Sequence, residues 1–321
     1  MSMAPPIVTV FGATGFIGRA LIAQLARTLI DGRKPLIRAV TRETAKAEPL
    51  RMLGEVGQIT PVYCNTGDAG GVAAAVSGSI AVINCIGLLT ESRRARFASV
   101  QGELPGVIAQ ALMNRAPNAR LIHLSAIGAD ANSASAYARS KAAGEGVLRA
   151  LYPAATILRP SVVFGPEDQF FNRFAKMALL SPLLPLFGNP AARMQPVYIE
   201  DIAAAIVAVL LRPDTAGRIY ELGGPATYSF RDLLQLLLRT IRRQRPLVFV
   251  PKALAVPLAR LLENLPGKML TRDQLHLLDR DNVVNSSLPG LTQLGITPTA
   301  LEAILPSYLN RFRPRGQFNR G

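Results

Sequence analysis

Three glycines spaced three residues apart constrain this chain more than any other feature. Gly12, Gly15 and Gly18 lie between a short β-branched run at residues 7–11 and an apolar-periodic segment at residues 16–30. Glycine permits the tight turn and the close backbone approach that this junction requires. The free N–H groups and positive dipole of the following helix would face a phosphate there. A tight turn without a ligand is the alternative, but the strand–turn–helix context favours a site for a dinucleotide pyrophosphate.

Apolar strand candidates alternate with helical patterns through the first half of the chain. Because apolar strands separated by helices form parallel sheets covered on both faces, the pattern predicts an α/β protein. The expected fold is a Rossmann-type, doubly wound parallel sheet with a smaller, mostly helical C-terminal lobe. Further strands are predicted at residues 36–41, 59–64, 81–86, 121–125 and 156–158, and helices at about 72–76, 100–114 and 137–151.

A chain of 321 residues with 49% hydrophobic and 18% charged residues has enough apolar sequence for one large domain and a smaller lobe. Residues 1–160 are predicted to form an NADP-binding domain, completed by about 195–225. Residues 161–194 and 226–308 would form the smaller lobe, which faces a substrate or a partner. Residues 309–321 are predicted to be a loose basic tail.

The net charge of +15 is concentrated toward the C-terminus. From Arg231 onward there are 14 Lys or Arg residues against 6 Asp or Glu. Such a surface favours anionic partners, including acidic lipid head groups or an acidic protein face, although a simple solvated basic surface is the alternative. No nucleic-acid partner is expected, because only 6% of residues are aromatic and no binding module is recognisable.

The chain has only two cysteines and two histidines. Cys64 and Cys85 lie in apolar runs, which suggests buried thiols in a reducing compartment. With only His123 and His276 in addition, no metal site is expected. No signal peptide, transit peptide or transmembrane segment is predicted, since the first strand begins near the N-terminus and no apolar run reaches the length of a membrane span.

The choice of dinucleotide is made near the end of the second strand. NAD enzymes place a carboxylate there to bind the ribose hydroxyls, but this chain has Arg42 and no acid between Gly32 and Thr41. A guanidinium can bind the 2′-phosphate of NADP in a bidentate manner, and Arg19 could be a second clamp. Both arginines could instead be ordinary surface charges. NADPH (NADP+) is the predicted cofactor, with NAD the less favoured choice.

The following strand ends supply further positions for the cofactor. Asn65, after the third strand, stands where an adenine contact is expected, and its carbonyl can accept a hydrogen bond from an amino group. After the fourth strand, the backbone at Ile86 and Gly87 is expected to approach the ribose.

A Tyr-x-x-x-Lys pair follows the strand that ends at Ser125. Residues four apart share one helix face, so Lys141 is expected to sit near the Tyr137 phenol and lower its pKa. Lys141 could also bind the nicotinamide ribose, and Ser125 could hold a substrate carbonyl or alcohol. These are the groups needed for acid–base assistance of hydride transfer. Because Tyr and Lys could equally hold a cofactor that does not turn over, the set leaves both roles open.

These motifs together resemble the atypical, extended short-chain dehydrogenase/reductase superfamily over nearly the whole chain. The three glycines, Ser125, Tyr137 and Lys141 fall on its motifs, and residues 158–165 look like its nicotinamide-pocket segment. Ser125, Tyr137 and Lys141 are the candidate catalytic residues. The predicted cofactor-binding residues are Gly12, Thr14, Gly15, Phe16, Ile17, Gly18, Arg19, Arg42, Asn65, Ile86, Gly87, Ser125, Tyr137, Lys141, Pro160, Val162 and Val163.

A narrower resemblance is to the dehydrogenase-like accessory subunits of respiratory complex I, the alpha subcomplex subunit nine family, in a bacterial form. It rests on residues 10–19, 135–145, 195–201, 270–273 and 288–296, the last two outside the cofactor domain. The resemblance implies tightly bound, structural NADPH with Arg42 as its clamp, and complex I subunits as partners. It also implies a peripheral position on the cytoplasmic side of a bacterial inner membrane.

Two alternatives stay open at this stage. The chain could be an assembly factor or a free NADP-dependent reductase, epimerase or dehydratase for a small or isoprenoid substrate, with the Phe-, Leu- and Pro-rich residues 164–195 lining an apolar pocket. A proline-rich loop is predicted at residues 181–190. The leucines and Val256 of residues 254–262, among Lys252, Arg260 and Lys268, could contact lipid or a subunit, or pack on their own lobe.

Overall fold

A seven-stranded, wholly parallel sheet forms the body of the molecule. The computed structural model describes residues 4–92, 95–264, 270–314 and 316. Parallel pairing connects the strands in the order β11-β6-β5-β4-β1-β2-β3. These strands are β1 Ile7–Phe11, β2 Leu36–Thr41, β3 Ile59–Tyr63, β4 Ala81–Asn84, β5 Arg120–Leu124, β6 Thr156–Pro160 and β11 Ile219–Leu222. The strand order reverses between β1 and β4, which is where open sheets of this kind bind ligands. The predicted fold class is confirmed.

Helices cover both faces of this sheet. Successive residues of β1 point to opposite faces, so Val10 packs with Leu21 and Ile206 on one side while Phe11 packs with Ile108 on the other. The helices are α1 Phe16–Leu25, α2 Thr44–Ala47, α3 Ala69–Val76, α4 Leu104–Arg115, α5 Ala136–Leu151, α6 Phe171–Leu180, α7 Ile199–Leu211, α8 Phe230–Thr240, α9 Lys252–Leu262, α10 Arg272–Leu278 and α11 Leu301–Leu309.

Two helices differ from their predicted bounds. Helix α1 ends at Leu25 rather than at residue 30, because Asp31 and Gly32 take left-handed conformations that turn the chain toward β2. The predicted helix at residues 100–114 begins instead as a π-helix, Ala98–Glu103, which continues directly into α4. Such wide turns occur most often beside functional sites.

The smaller lobe has its own apolar core between α6, α8 and α11. Phe171, Phe230, Leu234 and Leu305 are fully buried there. Short strand pairs complete the lobe and its connections. These additional strands are β7 Val163–Phe164, β8 Leu184–Leu186, β9 Arg193–Met194, β10 Val197–Tyr198, β12 Tyr228–Ser229 and β13 Leu247–Phe249.

Residues 164–195 are more regular than the sequence suggested. The proline-rich loop contains strand β8, which pairs with β13 and buries Leu184 and Leu186 on one face. Phe164 and Phe171 are fully buried in the lobe core, so they do not line an open pocket as expected. The pattern misled because a strand of three residues gives too little periodicity to detect.

The beginning of the predicted basic tail is packed rather than loose. Leu309 ends α11, and residues Asn310–Phe312 form a 3-10 turn in which Phe312 is buried. Arg313 Nε donates to the Thr240 carbonyl at 3.0 Å, which fixes this turn to the end of α8. Residues 315 and 317–321 lie outside the described residues.

Helix α9 turns its large apolar side chains outward. Ala255 and Ala259 are buried, whereas Leu254 and Leu261 are each 64% exposed. The small residues therefore make the contact with the lobe, and the leucines are left for another surface. Lys268, predicted to flank this segment, lies outside the described residues. No helix in the described part of the chain combines the length and the apolar character needed to cross a bilayer.

Candidate functional site

The glycine turn follows β1 directly. Gly12 has a φ of +77°, and a Cβ on it would stand 3.0 Å from the carbonyl carbon of Cys85. A Cβ on Gly18 would overlap the carbonyl oxygen of Gly12. Gly15 N–H donates to that oxygen at 2.9 Å and begins α1 with no side chain capping the helix. The first N–H groups of α1 therefore stay available to an anion.

Arg19 and Arg42, the two predicted phosphate-binding arginines, differ in whether their side chains already have partners. Arg19 donates to the Thr14 carbonyl at 2.7 Å and forms an ion pair with Glu167. Arg42, just beyond β2, is exposed, and its side chain makes no hydrogen bond or ion pair with any described residue. Arg42 can therefore accept a phosphate without losing a contact, whereas Arg19 would have to leave Glu167.

The ends of β3 and β4 carry polar side chains at the same edge of the sheet. Asn65 is exposed, and its Oδ1 accepts a hydrogen bond from Gly67 N–H at 3.2 Å. Asn84 is buried; its Oδ1 accepts from Ile86 N–H at 3.1 Å and its Nδ2 donates to His123 Nδ1 at 3.2 Å. Asn84 thus fixes the Ile86 backbone next to the glycine turn, a role that the sequence did not reveal.

His123 lies beneath this loop as a neutral side chain. Burial lowers its pKa to about 3, and the nearby positive Lys141 acts in the same direction. Because Asn84 donates to Nδ1, the proton of the neutral ring is on Nε2, a buried atom without a partner among the described residues. His123 therefore supports the loop as a neutral ring, and its low pKa keeps it from taking up a second proton near neutral pH.

Lys141 points from α5 to the end of β5. Its Nζ donates to the Leu124 carbonyl at 2.8 Å, and a Cβ on Gly87 would stand 3.7 Å from Nζ. Burial lowers the pKa of Lys141 to about 8, opposed by the Glu145 carboxylate. Next to Leu124, the Ser125 hydroxyl is buried and makes no hydrogen bond within the described part of the chain. The structure therefore brings Ser125, Lys141 and Gly87 together.

The Tyr137 phenol has a different environment from the expected one. Its ring packs edge-on against Phe97 with 5.7 Å between centroids. Burial, and secondarily the Asp273 carboxylate, raise its pKa to about 12, so the expected lowering by Lys141 is wrong for this structure. The physical reason is chiefly burial of the phenol and secondarily the Asp273 carboxylate, while Lys141 donates to a backbone carbonyl.

Asp273 of α10 reaches from the lobe to the first turn of α5. Its carboxylate accepts hydrogen bonds from Ser135 Oγ at 2.8 Å, Ala136 N–H at 2.6 Å and Tyr137 N–H at 3.3 Å. A carboxylate at a helix N-terminus also interacts favourably with the helix dipole. The stretch 270–273 was singled out for its resemblance alone, and the structure now gives Asp273 a physical role.

Two further positioning residues escaped the sequence. Asn282 Oδ1 accepts from Ser161 Oγ at 2.6 Å and from Val162 N–H at 3.2 Å, which fixes the predicted nicotinamide segment of Pro160, Val162 and Val163. Gln101, on the π-helix, donates to the Leu88 carbonyl at 2.8 Å and accepts from Ser140 Oγ at 2.7 Å. Each joins segments that are distant in sequence.

A buried ionic network anchors α5 to the sheet. Arg159 of β6 donates to both carboxylate oxygens of Glu145, at 2.9 and 2.6 Å, and to Glu221 of β11 at 3.3 Å. The hydrogen bond that Arg159 donates to Glu145 is the largest cause of the raised pKa of Arg159. This bidentate pair fixes the helix that carries Tyr137 and Lys141.

The residues present fit a nicotinamide dinucleotide. The glycine turn and the uncapped α1 N-terminus suit its pyrophosphate, and the unpartnered Ser125 hydroxyl and the Lys141 amine suit its nicotinamide half. When bound, such a cofactor would supply hydride transfer. Among the described residues, no cluster of three or more His, Cys, Asp or Glu side chains could hold a metal ion.

Comparison with known proteins agrees with this geometry. The profile of the NAD dependent epimerase/dehydratase family matches residues 8–223. The mouse (Mus musculus) protein NADH dehydrogenase [ubiquinone] 1 alpha subcomplex subunit 9, mitochondrial, is 34% identical over 97% of this chain and 82% of its own length. A ceramide reductase of Caulobacter vibrioides is 32% identical over 64% of this chain and 62% of its own.

Solved structures show the same fold. The NADPH complex of the Escherichia coli NADPH-dependent quinone oxidoreductase QOR2 superposes with a TM-score of 0.72, covering 94% of this chain and 98% of that one at 21% identity. Together with the family profile, this confirms the coarser prediction of a nicotinamide dinucleotide fold.

Proposed function

The chain belongs to the NAD dependent epimerase/dehydratase family and to the family of complex I alpha subcomplex subunit 9 proteins, and on that basis we propose an accessory or assembly role in respiratory complex I. In this role the protein holds NADPH mainly as a structural component. The observation that carries the proposal is the Asp273 carboxylate, which ties the lobe to the first turn of α5 beside Tyr137.

The electrostatics around Tyr137 favour a cofactor that is held rather than turned over. General acid–base catalysis works best when the catalytic pKa lies near the working pH. Here the Tyr137 pKa is raised to about 12, and Lys141 donates to a backbone carbonyl. A phenol with this pKa remains protonated throughout the physiological range, so it is available to donate a hydrogen bond to a cofactor.

The preference for NADPH rests on Arg42. Its exposed and unpartnered guanidinium follows β2, where a carboxylate would select NAD. Ser125, Tyr137, Lys141 and the glycine turn would hold the remainder of the cofactor. Titration with both reduced cofactors tests this preference, and tighter binding of NADH would contradict it.

The proposed location is the cytoplasmic face of a bacterial inner membrane, in peripheral contact with complex I. The net charge of +15 and the outward leucines of α9 support a surface that meets anionic lipid or a subunit. A variant without residues 252–262 should leave the membrane fraction, and unchanged fractionation would count against this location.

Gentle purification from native membranes tests the whole proposal. Complex I subunits should co-purify, and NADPH should stay bound through gel filtration. A protein recovered alone, with cofactor that exchanges freely, would contradict both parts.

A second candidate is an NADP-dependent reductase, epimerase or dehydratase acting on a small or isoprenoid substrate. The buried, unpartnered Ser125 hydroxyl beside Lys141 favours it, since substrate binding would satisfy that group. The relative called a ceramide reductase supports an apolar substrate. If Tyr137→Phe kept the cofactor but lost a measurable turnover, this second function would replace the first.

A further inference from the structure

The smaller lobe has a surface groove lined by arginines. Arg231 and Arg239 of α8 are eight residues apart and share one helix face. Together with Arg242, Arg243 and Arg245 they line an open cavity of about 1070 Å³. We call these five residues the arginine groove.

None of the described residues that line the arginine groove carries a carboxylate. The side chains of Arg231 and Arg239 are exposed and make no hydrogen bond or ion pair within the described residues. Arg243 Nε donates to the Phe312 carbonyl at 2.9 Å, and Arg245 Nε donates to the Ala178 carbonyl at 3.1 Å. Carbonyls orient the Arg243 and Arg245 guanidiniums without neutralising them, so these two side chains present positive charge at fixed positions.

An exposed apolar rim borders the arginine groove. The Arg245–Ala178 hydrogen bond places the groove against the end of α6, where Leu180 is 90% exposed. Beyond Pro246, which also lines the groove, strand β13 leaves Phe249 50% exposed. The Pro246 carbonyl accepts from Leu184 N–H at 3.0 Å, which joins both sides of this rim.

We propose that the arginine groove binds the phosphate head groups of an anionic bilayer, with Leu180 and Phe249 entering the head-group region. Guanidinium pairs bind phosphate in a bidentate manner, and exposed apolar side chains beside them suit the interface between water and lipid. An acidic protein segment would match the charge, but it would leave the apolar rim unused. The proposal deepens the membrane location given under the proposed function and rests on it.

The test measures flotation of the full-length protein with vesicles of phosphatidylcholine alone or an equimolar mixture with phosphatidylglycerol. The wild type should bind only the anionic vesicles. The double variant Arg231→Gln/Arg239→Gln should bind them roughly 25-fold more weakly, since each arginine near an anionic surface contributes about fivefold. Neither side chain has a hydrogen-bond or ion-pair partner in the described part of the chain, so the variant should fold normally.

Matched controls separate the groove from net charge and from general stickiness. Arg115→Gln/Arg149→Gln removes the same charge from exposed positions on the cofactor domain and should change binding by less than about threefold. Leu180→Ser/Phe249→Ser should weaken binding even in high salt, whereas Leu29→Ser/Met52→Ser, at similarly exposed sites, should not.

Three outcomes would overturn the proposal. One is that the variant Arg231→Gln/Arg239→Gln floats with anionic vesicles as well as the wild type does. Another is that this variant and the control Arg115→Gln/Arg149→Gln lose vesicle binding equally. If the groove variant kept vesicle binding but lost complex I subunits on purification, the groove would bind an acidic protein instead. The vesicle test contains no complex I. If the wild-type protein binds anionic vesicles but complex I subunits do not co-purify with it from native membranes, only the accessory role is contradicted.

Discussion

Two sets of arginines, one in the cofactor domain and one in the smaller lobe, differ in how their charges are satisfied. In the domain, Arg159 is 18% exposed and binds two carboxylates that are almost fully buried. In the lobe, Arg231 and Arg239 are exposed and have no partner among the described residues. Buried charges need partners because desolvation is costly, whereas exposed charges do not. The buried arginine of the domain is therefore matched by internal partners, whereas these two arginines of the lobe remain available to an external anion.

The largest effect should come from breaking the buried pair. Arg159→Met leaves Glu145 and Glu221 buried without a counter-charge, which should lower the free energy of unfolding by about 3–5 kcal/mol. Urea unfolding measures this change. Lys46→Met, which removes an exposed pair with Glu43, should cost less than about 1 kcal/mol. Equal costs would show that the domain does not depend on internal pairing.

The next effect concerns the pH dependence of stability. Because the native pKa of Lys141 is about 8 and its ordinary value is 10.5, the unfolded chain binds more protons between those values. The contribution of Lys141 to the free energy of unfolding is therefore fully present above pH 10.5. It is lost as the pH falls through about 8, by roughly 3 kcal/mol in total.

Urea unfolding from pH 7 to pH 10.5 tests this dependence. Lys141→Met should remove the contribution, whereas replacing the exposed Lys176 by Met should leave the profile unchanged. If the free energy of unfolding changes with pH equally in the wild type and in Lys141→Met, the lowered pKa of the buried Lys141 amine is contradicted.

Arg42 should behave as a charge of the cofactor site that has no partner among the described residues. Arg42→Gln removes a charge-assisted hydrogen bond to the 2′-phosphate and should weaken NADPH binding roughly 10- to 100-fold. NADH affinity should stay constant. Calorimetric titration gives both values, with Lys46→Gln as the control for charge at the same edge of the sheet. Equal weakening of both cofactors would assign Arg42 to a general electrostatic role.

The smallest effect is expected where the domain and lobe meet. Asp273→Asn retains the shape of the cap but removes its charge, which should cost about 1 kcal/mol in unfolding. The pKa of Tyr137 should also fall from about 12 while staying above its ordinary value of 10, because burial is the larger cause.

Ultraviolet titration measures the Tyr137 pKa, with Tyr137→Phe identifying the signal. Asp279→Asn, a lobe carboxylate that pairs with Lys252, should leave that pKa unchanged. If the Tyr137 pKa is the same in Asp273→Asn as in the wild type, the Asp273 carboxylate does not raise that pKa. The electrostatic support for a structural, non-reacting cofactor is then lost.

The sequence could predict what depends on local pattern. The glycine turn, the parallel sheet and the helix that carries Tyr137 and Lys141 all follow from glycine spacing and apolar periodicity, which act over a few residues. The roles of Asp273, Asn282 and Gln101 could not be predicted, because each binds a segment 39 or more residues away. The direction of the Tyr137 pKa shift was also mispredicted, because it depends on burial in the folded chain and secondarily on a carboxylate from the lobe.

The cap on α5 also sets an order of events during synthesis. Asp273 lies 137 residues after Ala136, so the helix leaves the ribosome well before the carboxylate that receives its first N–H groups. Pairings of such long range form late because chain entropy opposes them. The cap on α5 therefore becomes complete only when most of the lobe has been made. A nascent chain stopped before residue 273 would present the Tyr137 helix without the carboxylate that accepts from the N–H groups of Ala136 and Tyr137.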